Sequence, residues 1–349
     1  MKFDFAIGNP PYQDETLGDN KGFAPPVYDK FLDSAFKIAD AVEMIHPARF
    51  LFNAGSTPKA WNEKMLSDKH FKVLYSEQDS SKVFPNTDIK GGVAITYHDE
   101  RKDFGEIGIF TAFNELNTLL QKVMVKPDFS SLSQICVSRT AYRLTQKLHD
   151  DYPNAINQLS KGHAFDMSTN IFNRLPQVFY TQKPDDGNQY IQILGRLGND
   201  RVYRFIRKDY VNEVKNLDKY KVFLAKANGS GALGEVMSTP LIGEPLIGEP
   251  LIGSTESFLS IGSFETLQEA KATEKYIKSK FARCLLGVLK TTQDITPEKW
   301  KYVPLQDFTS SSDIDWSASI ANIDKQLYKK YGLSKEEIDF IETHVKEME

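Results

Sequence analysis

Apolar and polar positions at the start of the chain alternate: Phe3, Phe5 and Ile7 are separated by Asp4 and Ala6, and Gly8 follows. A period of two predicts a short buried strand that the glycine ends. Residues 13–24 are polar and glycine-bearing, a surface loop, and Pro25-Pro26 stand where a helix opens. The stretch VYDKFLDSAFKIA then puts Val27, Phe31, Ala35 and Ile38 on one face at helical spacing. A second strand is expected in AVEMIHPARFLF, ending near His46-Pro47. A helix over 57–68 follows, with Thr57 as its cap and Pro58 at its first position. HFKVLYSE and GGVAITYH read as third and fourth strands with VFPNTDIK between them. Gly91 and Gly92 open the last of these, either to let backbone approach closely or simply to turn. The alternation predicts an α/β sheet with both faces covered.

From about residue 105 the pattern changes. IGIFTAFNELNTLLQKV is amphipathic, with Leu116, Leu119 and Leu120 on one side. Arg139, Arg143 and Lys147 recur every fourth residue, a basic or merely solvated helical face. Four β-type runs follow: QVFYTQ, QYIQILGRL, RVYRFIRKDYV and KVFLAKA. Arg196, Arg201, Arg204, Arg207 and Lys208, interleaved with Tyr203 and Phe205, suit a phosphate backbone. They suit a charge-guarded edge strand equally. The tandem repeat PLIGE-PLIGE-PLIGS, residues 240–254, reads as a series of turns. TLQEAKATEKYIKSKFARCLLGVL is one long helix by its stripe Ala270, Ile277, Phe281 and Leu285. DITPEKWKYVPLQDFTSSSDIDW reads as an arm and linker, and a polar helical tail runs from Ser334 to Glu349.

Composition narrows the functions. The net charge of −4 gives no global attraction to phosphates, so any nucleic-acid contact must come from local basic patches. Cys136 and Cys284 are isolated, which suits a reducing cytoplasm without disulfides. The histidines show no metal-ligand spacing, no metal is expected, and no apolar run is long enough to span a membrane.

The first strand runs directly into Asn9-Pro10-Pro11-Tyr12, and this arrangement resembles the catalytic motif of adenine-N6 DNA methyltransferases. The resemblance extends along the first block. In the γ-class of that family a helix with Tyr-x-x-Phe-Leu-acid follows, matched by Tyr28, Phe31, Leu32 and Asp33. A Pro-Ala step is matched by Pro47-Ala48, and Val-Phe-Pro by Val83-Phe84-Pro85. The resemblance implies that the Asn9 side-chain oxygen and the Pro10 carbonyl accept the two N6 hydrogens of an adenine turned out of duplex DNA. They would aim its lone pair at the methyl group of S-adenosylmethionine. Two prolines lock φ and keep these acceptors aimed. Tyr12 would stack on one face of the base, Phe84 on the other. Phe31 would pack near the cofactor's adenine, although its spacing suits plain core packing as well. Glu269-Ala270-Lys271, an acid-x-Lys pair without a matching Asp, reads as a solvated helix face and no endonuclease site is expected.

The C-terminal sequence is similar to the target-recognition half of type II and IIG restriction–modification adenine methyltransferases. Three regions are therefore expected: the catalytic half of a methyltransferase domain at 1–104, a DNA target-recognition domain at 105–310, and a linker with a helical tail at 311–349. The fold class is α/β, a partial Rossmann-like methyltransferase sheet followed by a mixed α+β domain. In the family, the glycine-rich cofactor loop precedes the motif, so a fragment, or a second polypeptide supplying that half, is expected. Gly229, Gly231 and Gly234 have the GxGxxG spacing, but Pro240, Pro245 and Pro250 exclude the helix that such a loop requires. Two alternatives remain: a DNA-recognition module or truncated remnant without activity, and a methyltransferase of RNA or of protein amides.

Overall fold

A computed structural model describes residues 2–14, 24–52, 55–77, 79–85, 87, 89, 91–111, 113–228, 241–290 and 293–348. The chain divides into two compact units, Met1–Asn117 and Thr118–Glu349.

The first unit contains β1 (Phe3–Gly8), α1 (Tyr28–Ile38), β2 (Ala39–Pro47), α2 (Lys59–Ser67), β3 (Phe71–Glu77) and β4 (Val93–Asp99). Their sheet runs β1-β2-β4-β3. β1 and β2 are parallel, joined over the sheet by α1, whereas β4 is antiparallel to both its neighbours. Both helices pack on the same face. Tyr28 and Leu32 of α1 meet Trp61 and Met65 of α2 over Phe50, Phe71 and Ala94. Tyr28 stacks on His46 at 5.8 Å, and Phe36 on His98 at 4.3 Å.

The opposite face corrects the expectation of a sheet covered on both sides. Phe3, Phe5 and Ile7 are 67%, 47% and 73% exposed, not buried. Register aligns Ile7 with Glu43, Glu43 with Tyr97, and Ile45 with Ile95, so these residues share that open face. Alternation reports that residues lie on one side of a strand; it does not report what covers that side. The same holds for α1. Tyr28, Leu32 and Ala35 are buried, while Phe31 and Ile38 of the expected face are exposed. The helix carries two apolar stripes, and the sheet takes one. Thr57 does not cap α2: its hydroxyl donates to Asn62 Oδ1 at 2.7 Å, and Pro58 holds the cap position.

α3 (Asn114–Met124) spans the boundary between the units, with Leu116, Leu119 and Leu120 buried. The second unit continues with β5 (Cys136–Val137), the short helices α4 (Gln146–Asp151), α5 (Ala155–Gln158) and α6 (Ile171–Arg174), then β6 (Tyr190–Leu197), β7 (Asp200–Arg207) and β8 (Tyr220–Ala225). After these come β9 (Leu246–Gly248), β10 (Ile252–Ser254), β11 (Phe258–Phe264), α7 (Leu267–Lys278), α8 (Lys280–Gly287), α9 (Ile320–Tyr331) and α10 (Lys335–His344). The sheets are β10-β6-β7 and β5-β11-β8-β9.

Tertiary pairing overrides several local patterns. Arg139, Arg143 and Lys147 share no helix, because Arg143 forms a bridge with Asp166 and α4 begins only at Gln146. QVFYTQ contributes only a bridge from Tyr180 to Phe205. The long helix breaks at Ser279, whose side chain accepts from Ala282 N and so starts α8. Glu269 forms a capping box with Thr266 at the head of α7. The expected arm is packed: Trp300 and Val303 are fully buried, and Leu132 N donates to Val303 O at 2.8 Å. Gly229, Gly231 and Gly234 lie outside the described residues.

The repeat is not a run of equivalent turns. Its second copy supplies β9, antiparallel to β8, and its third supplies β10, parallel to β6. The same four letters thus pad the edges of two different sheets. A Cβ on Gly248 would stand 2.4 Å from the Phe223 ring, and one on Gly253 3.0 Å from Ile193 and Tyr142. At Gly243 of the first copy the nearest atom is 3.8 Å away. Gly248→Ala is therefore expected to cost about 2 kcal/mol by overpacking. Gly243→Ala should leave the urea midpoint within error, and equal midpoints for the two variants would contradict this packing.

Candidate active site

Parallel β1 and β2 run to the same sheet edge, and the chain leaves each of them there with a proline-bearing turn. From β1 it leaves through Asn9-Pro10-Pro11-Tyr12, from β2 through Pro47 into a 3₁₀ turn, Ala48–Phe52. Edges at the carboxyl ends of parallel strands are where ligands bind in open α/β sheets. Asn9 and Pro11 are exposed, and Pro10 and Tyr12 are half-buried. Tyr12 is held from behind: its carbonyl accepts from Val27 N at 3.2 Å, and Asp14 N donates to Pro25 O at 2.9 Å. Gln13 bridges to Pro26. Two prolines, each with φ fixed by its ring, between a strand end and this clamp leave the motif little freedom.

Tyr12 forms one wall of a cavity of about 280 Å³, together with Pro26, Tyr28, Pro47, Arg49, Gly55, Ser56 and Ile89 among others. That volume is just below the range of about 300–1,000 Å³ usual for a small-molecule site. The Tyr12 hydroxyl is buried without a hydrogen-bond partner among the described residues, and burial raises its pKa. Burial pushes the Tyr28 hydroxyl up to about 12, with the charge of Arg49 opposing the shift. Beneath it His46 is held neutral, its pKa lowered to about 4 by burial; Nε2 meets Thr96 Oγ1 at 2.7 Å. At neutral pH neither ring shuttles protons. The cavity joins aromatic and proline walls with the polar Gln13 and Ser56 and the cation of Arg49, which suits binding and orientation rather than acid–base work; Asn9 and Pro10 are not among the residues lining it.

Phe84 sits half-buried on the turn after β3, its N–H donating to Ser80 O at 2.8 Å. It is not among the residues lining the cavity; the same loop sends Ile89 to that wall instead. Phe31, 45% exposed on α1, contributes nothing to the core. In the second unit the basic residues divide. Arg207 is paired with Asp209 at 2.6 Å and Asp151 at 3.5 Å, and Lys208 with Asp218 at 3.7 Å. Arg196, Arg201 and Arg204 donate to the carbonyls of Asn199, Glu244 and Tyr203. Arg196 also lies over the Phe258 ring and Arg204 over the Phe172 ring.

Arg49 escaped the reading of the sequence. The signal was present in Gly91-Gly92, whose φ values of 86° and 74° are left-handed. A Cβ at Gly91 would stand 2.7 Å from Arg49 Cγ, so the glycine is there to pass the arginine stem.

Residues 1–84 match the model of a family described as Eco57I restriction-modification methylase. A curated Mycoplasma pneumoniae protein described as an uncharacterized adenine-specific methylase is 33% identical over 95 residues, 27% of this chain. That match spans 22% of the relative's length. Among solved structures, the type IIG restriction endonuclease BpuSI is similar over 92% of this chain and 48% of its own, with 11% identity and a TM-score of 0.35. At that distance neither activity nor domain layout transfers. The resemblance to restriction–modification adenine methyltransferases holds in the stretch that carries the motif and the cavity.

Proposed function

We propose that this chain, whose first 84 residues match a restriction-modification methylase family and which is similar over 95 residues to a protein described as an adenine-specific methylase, is a site-specific DNA adenine-N6 methyltransferase polypeptide. The first unit holds the target adenine and the second reads the DNA around it. The Asn9 amide oxygen and the Pro10 carbonyl accept the N6 hydrogens, with Tyr12 against one face of the flipped base; Phe84, which does not line the Tyr12 cavity, takes the other face by the family resemblance alone. Held so by Asn9 and Pro10, the N6 lone pair would be aimed at the position of a donated methyl group, and the surplus N6 proton would leave to solvent. S-adenosylmethionine supplies, when bound, the electrophilic methyl group. Phe31, exposed beside the motif's strand, is the residue assigned to its adenine. In the second unit Arg196, Arg201 and Arg204 take the phosphate contacts ahead of Arg207 and Lys208, whose charges are already spent on carboxylates.

The observation that supports this most is the exposure of Asn9 at a parallel-strand edge, next to a cavity walled by Tyr12. The test is methyl incorporation by the assembled enzyme into duplex DNA, RNA and peptide acceptors offered together. Incorporation into RNA or peptide instead of DNA would refute the reading.

The open edge of β1 and its exposed face support a further polypeptide as the source of the cofactor site. It adds a strand beside β1, the outer strand of its sheet, and covers the face bearing Phe3, Phe5 and Ile7. Calorimetry should then give no S-adenosylmethionine binding by this chain alone. Ile7→Asp should leave its melting temperature unchanged, since the residue is 73% exposed, yet abolish methyl transfer in the assembled enzyme. Full activity in Ile7→Asp would remove the docking edge from the proposal.

A further inference from the structure

The Arg49 wall of the cavity has a chemistry that stacking and N6 recognition do not use. Its stem is laid between two left-handed glycines, Gly55 at φ 88° and Gly91 at φ 86°. A Cβ on Gly55 would come within 3.2 Å of Arg49 Cβ, and one on Gly91 within 2.7 Å of Arg49 Cγ. Any other residue at either position would displace the stem or strain the backbone. The turn Ala48–Phe52 follows directly on β2, whose end is beside the end of β1, so Arg49 and Tyr12 face one cavity from two adjacent strands. Tyr12, Pro26, Tyr28, Pro47 and Ile89 line the cavity together with Arg49, and Gln13 and Ser56 add polar groups. A planar ring flanked by a planar, permanently charged fork suits a ligand that is itself aromatic and anionic.

We propose that Arg49 binds the phosphate adjoining the adenosine held against Tyr12. This rests on the reading of the cavity as the target-base site and adds to it a phosphate anchor. A base taken out of the stack swings on its backbone, and a fixed cation at the adjoining phosphate limits where N6 can arrive. Arg49 acts through that placement, so it is a positioning residue. The guanidinium fork gives direction as well as charge, which a lysine ammonium at the same place would not reproduce.

The probe is a short single-stranded oligonucleotide with 2-aminopurine at its centre, compared with the uncharged 2-aminopurine nucleoside. Unpaired bases reach the cavity without a flipping cost, and quenching reports stacking on Tyr12. Arg49→Met keeps the sheathed stem and removes the charge, and its melting temperature checks the fold. The expected result is about tenfold weaker binding of the oligonucleotide with no change for the nucleoside, and a salt dependence shallower by about 0.7 in log–log slope. Arg49→Lys should restore the slope without restoring the affinity. If Arg49→Met binds both probes as the wild type does, and Tyr12→Ala abolishes quenching, the phosphate anchor is wrong and the base site stands. If neither probe is quenched by the wild type, the base site fails and the anchor fails with it.

Discussion

Asn9→Ala is expected to lower methyl transfer to DNA by about 10²–10³-fold, the usual loss when one preorganised polar group at the reacting centre is removed. The reason is directional. An exocyclic amine conjugated to a purine keeps its lone pair in the ring system, and two acceptors on its hydrogens bring that pair to bear on the methyl carbon. Removing the amide oxygen leaves one of the two hydrogens unheld. Because Asn9 is exposed beyond the end of β1, the substitution should not unfold the chain. Methyl incorporation into duplex DNA by the assembled enzyme, with melting of the variant alongside, separates the two effects. Activity within twofold of wild type (about 0.4 kcal/mol) would end the proposal for Asn9. A loss matched by a lower melting temperature would return Asn9 to a structural role.

Lys221→Met should cost the most stability, about 4 kcal/mol. Lys221 is fully buried in β8, yet its ammonium donates to the carbonyls of Asn216, Leu217, Lys219 and Glu249 at 2.8–3.0 Å. One side chain thus ties the turn before β8 to the turn between β9 and β10. Methionine fills the stem's volume but orphans those carbonyls, and the urea midpoint should fall accordingly. Burial lowers the Lys221 pKa to about 7. The folded chain therefore sheds this proton at a lower pH than the unfolded chain, whose lysine titrates near its ordinary value of 10.5. Between these two values the unfolded state binds more protons, so wild-type stability should rise with pH relative to Lys221→Met. A flat difference across pH 7–10 would mean that the four carbonyls hold the ammonium charged throughout.

What could be read without coordinates follows from how local each signal is. β1 to β4, α2 and α3 announce themselves through period and punctuation, because strand and helix formation is decided over a few residues. Asn9-Pro10-Pro11-Tyr12 is legible for the same reason: the prolines fix their own geometry wherever they stand. The break at Ser279 was hidden because its cause is remote. Asp324, distant in sequence, accepts from Lys280 N and Phe281 N at 3.0 and 2.9 Å and so supports a helix start inside an unbroken apolar stripe. The packed course of 294–316 was hidden likewise, since a segment rich in Pro, Ser and Asp looks solvated until its Trp300 and Val303 are seen in the core.

By itself the sequence determined the order of elements in the first unit, the strand-to-motif junction and the likeness to adenine methylases, all carried by neighbours along the chain. Tertiary structure alone decided which face of the sheet is covered, which copies of the repeat become strands, and that Arg49 and Tyr12 line one cavity. Each of those depends on contacts between residues far apart in number. A periodic pattern says that side chains point together, and only the fold says what they meet.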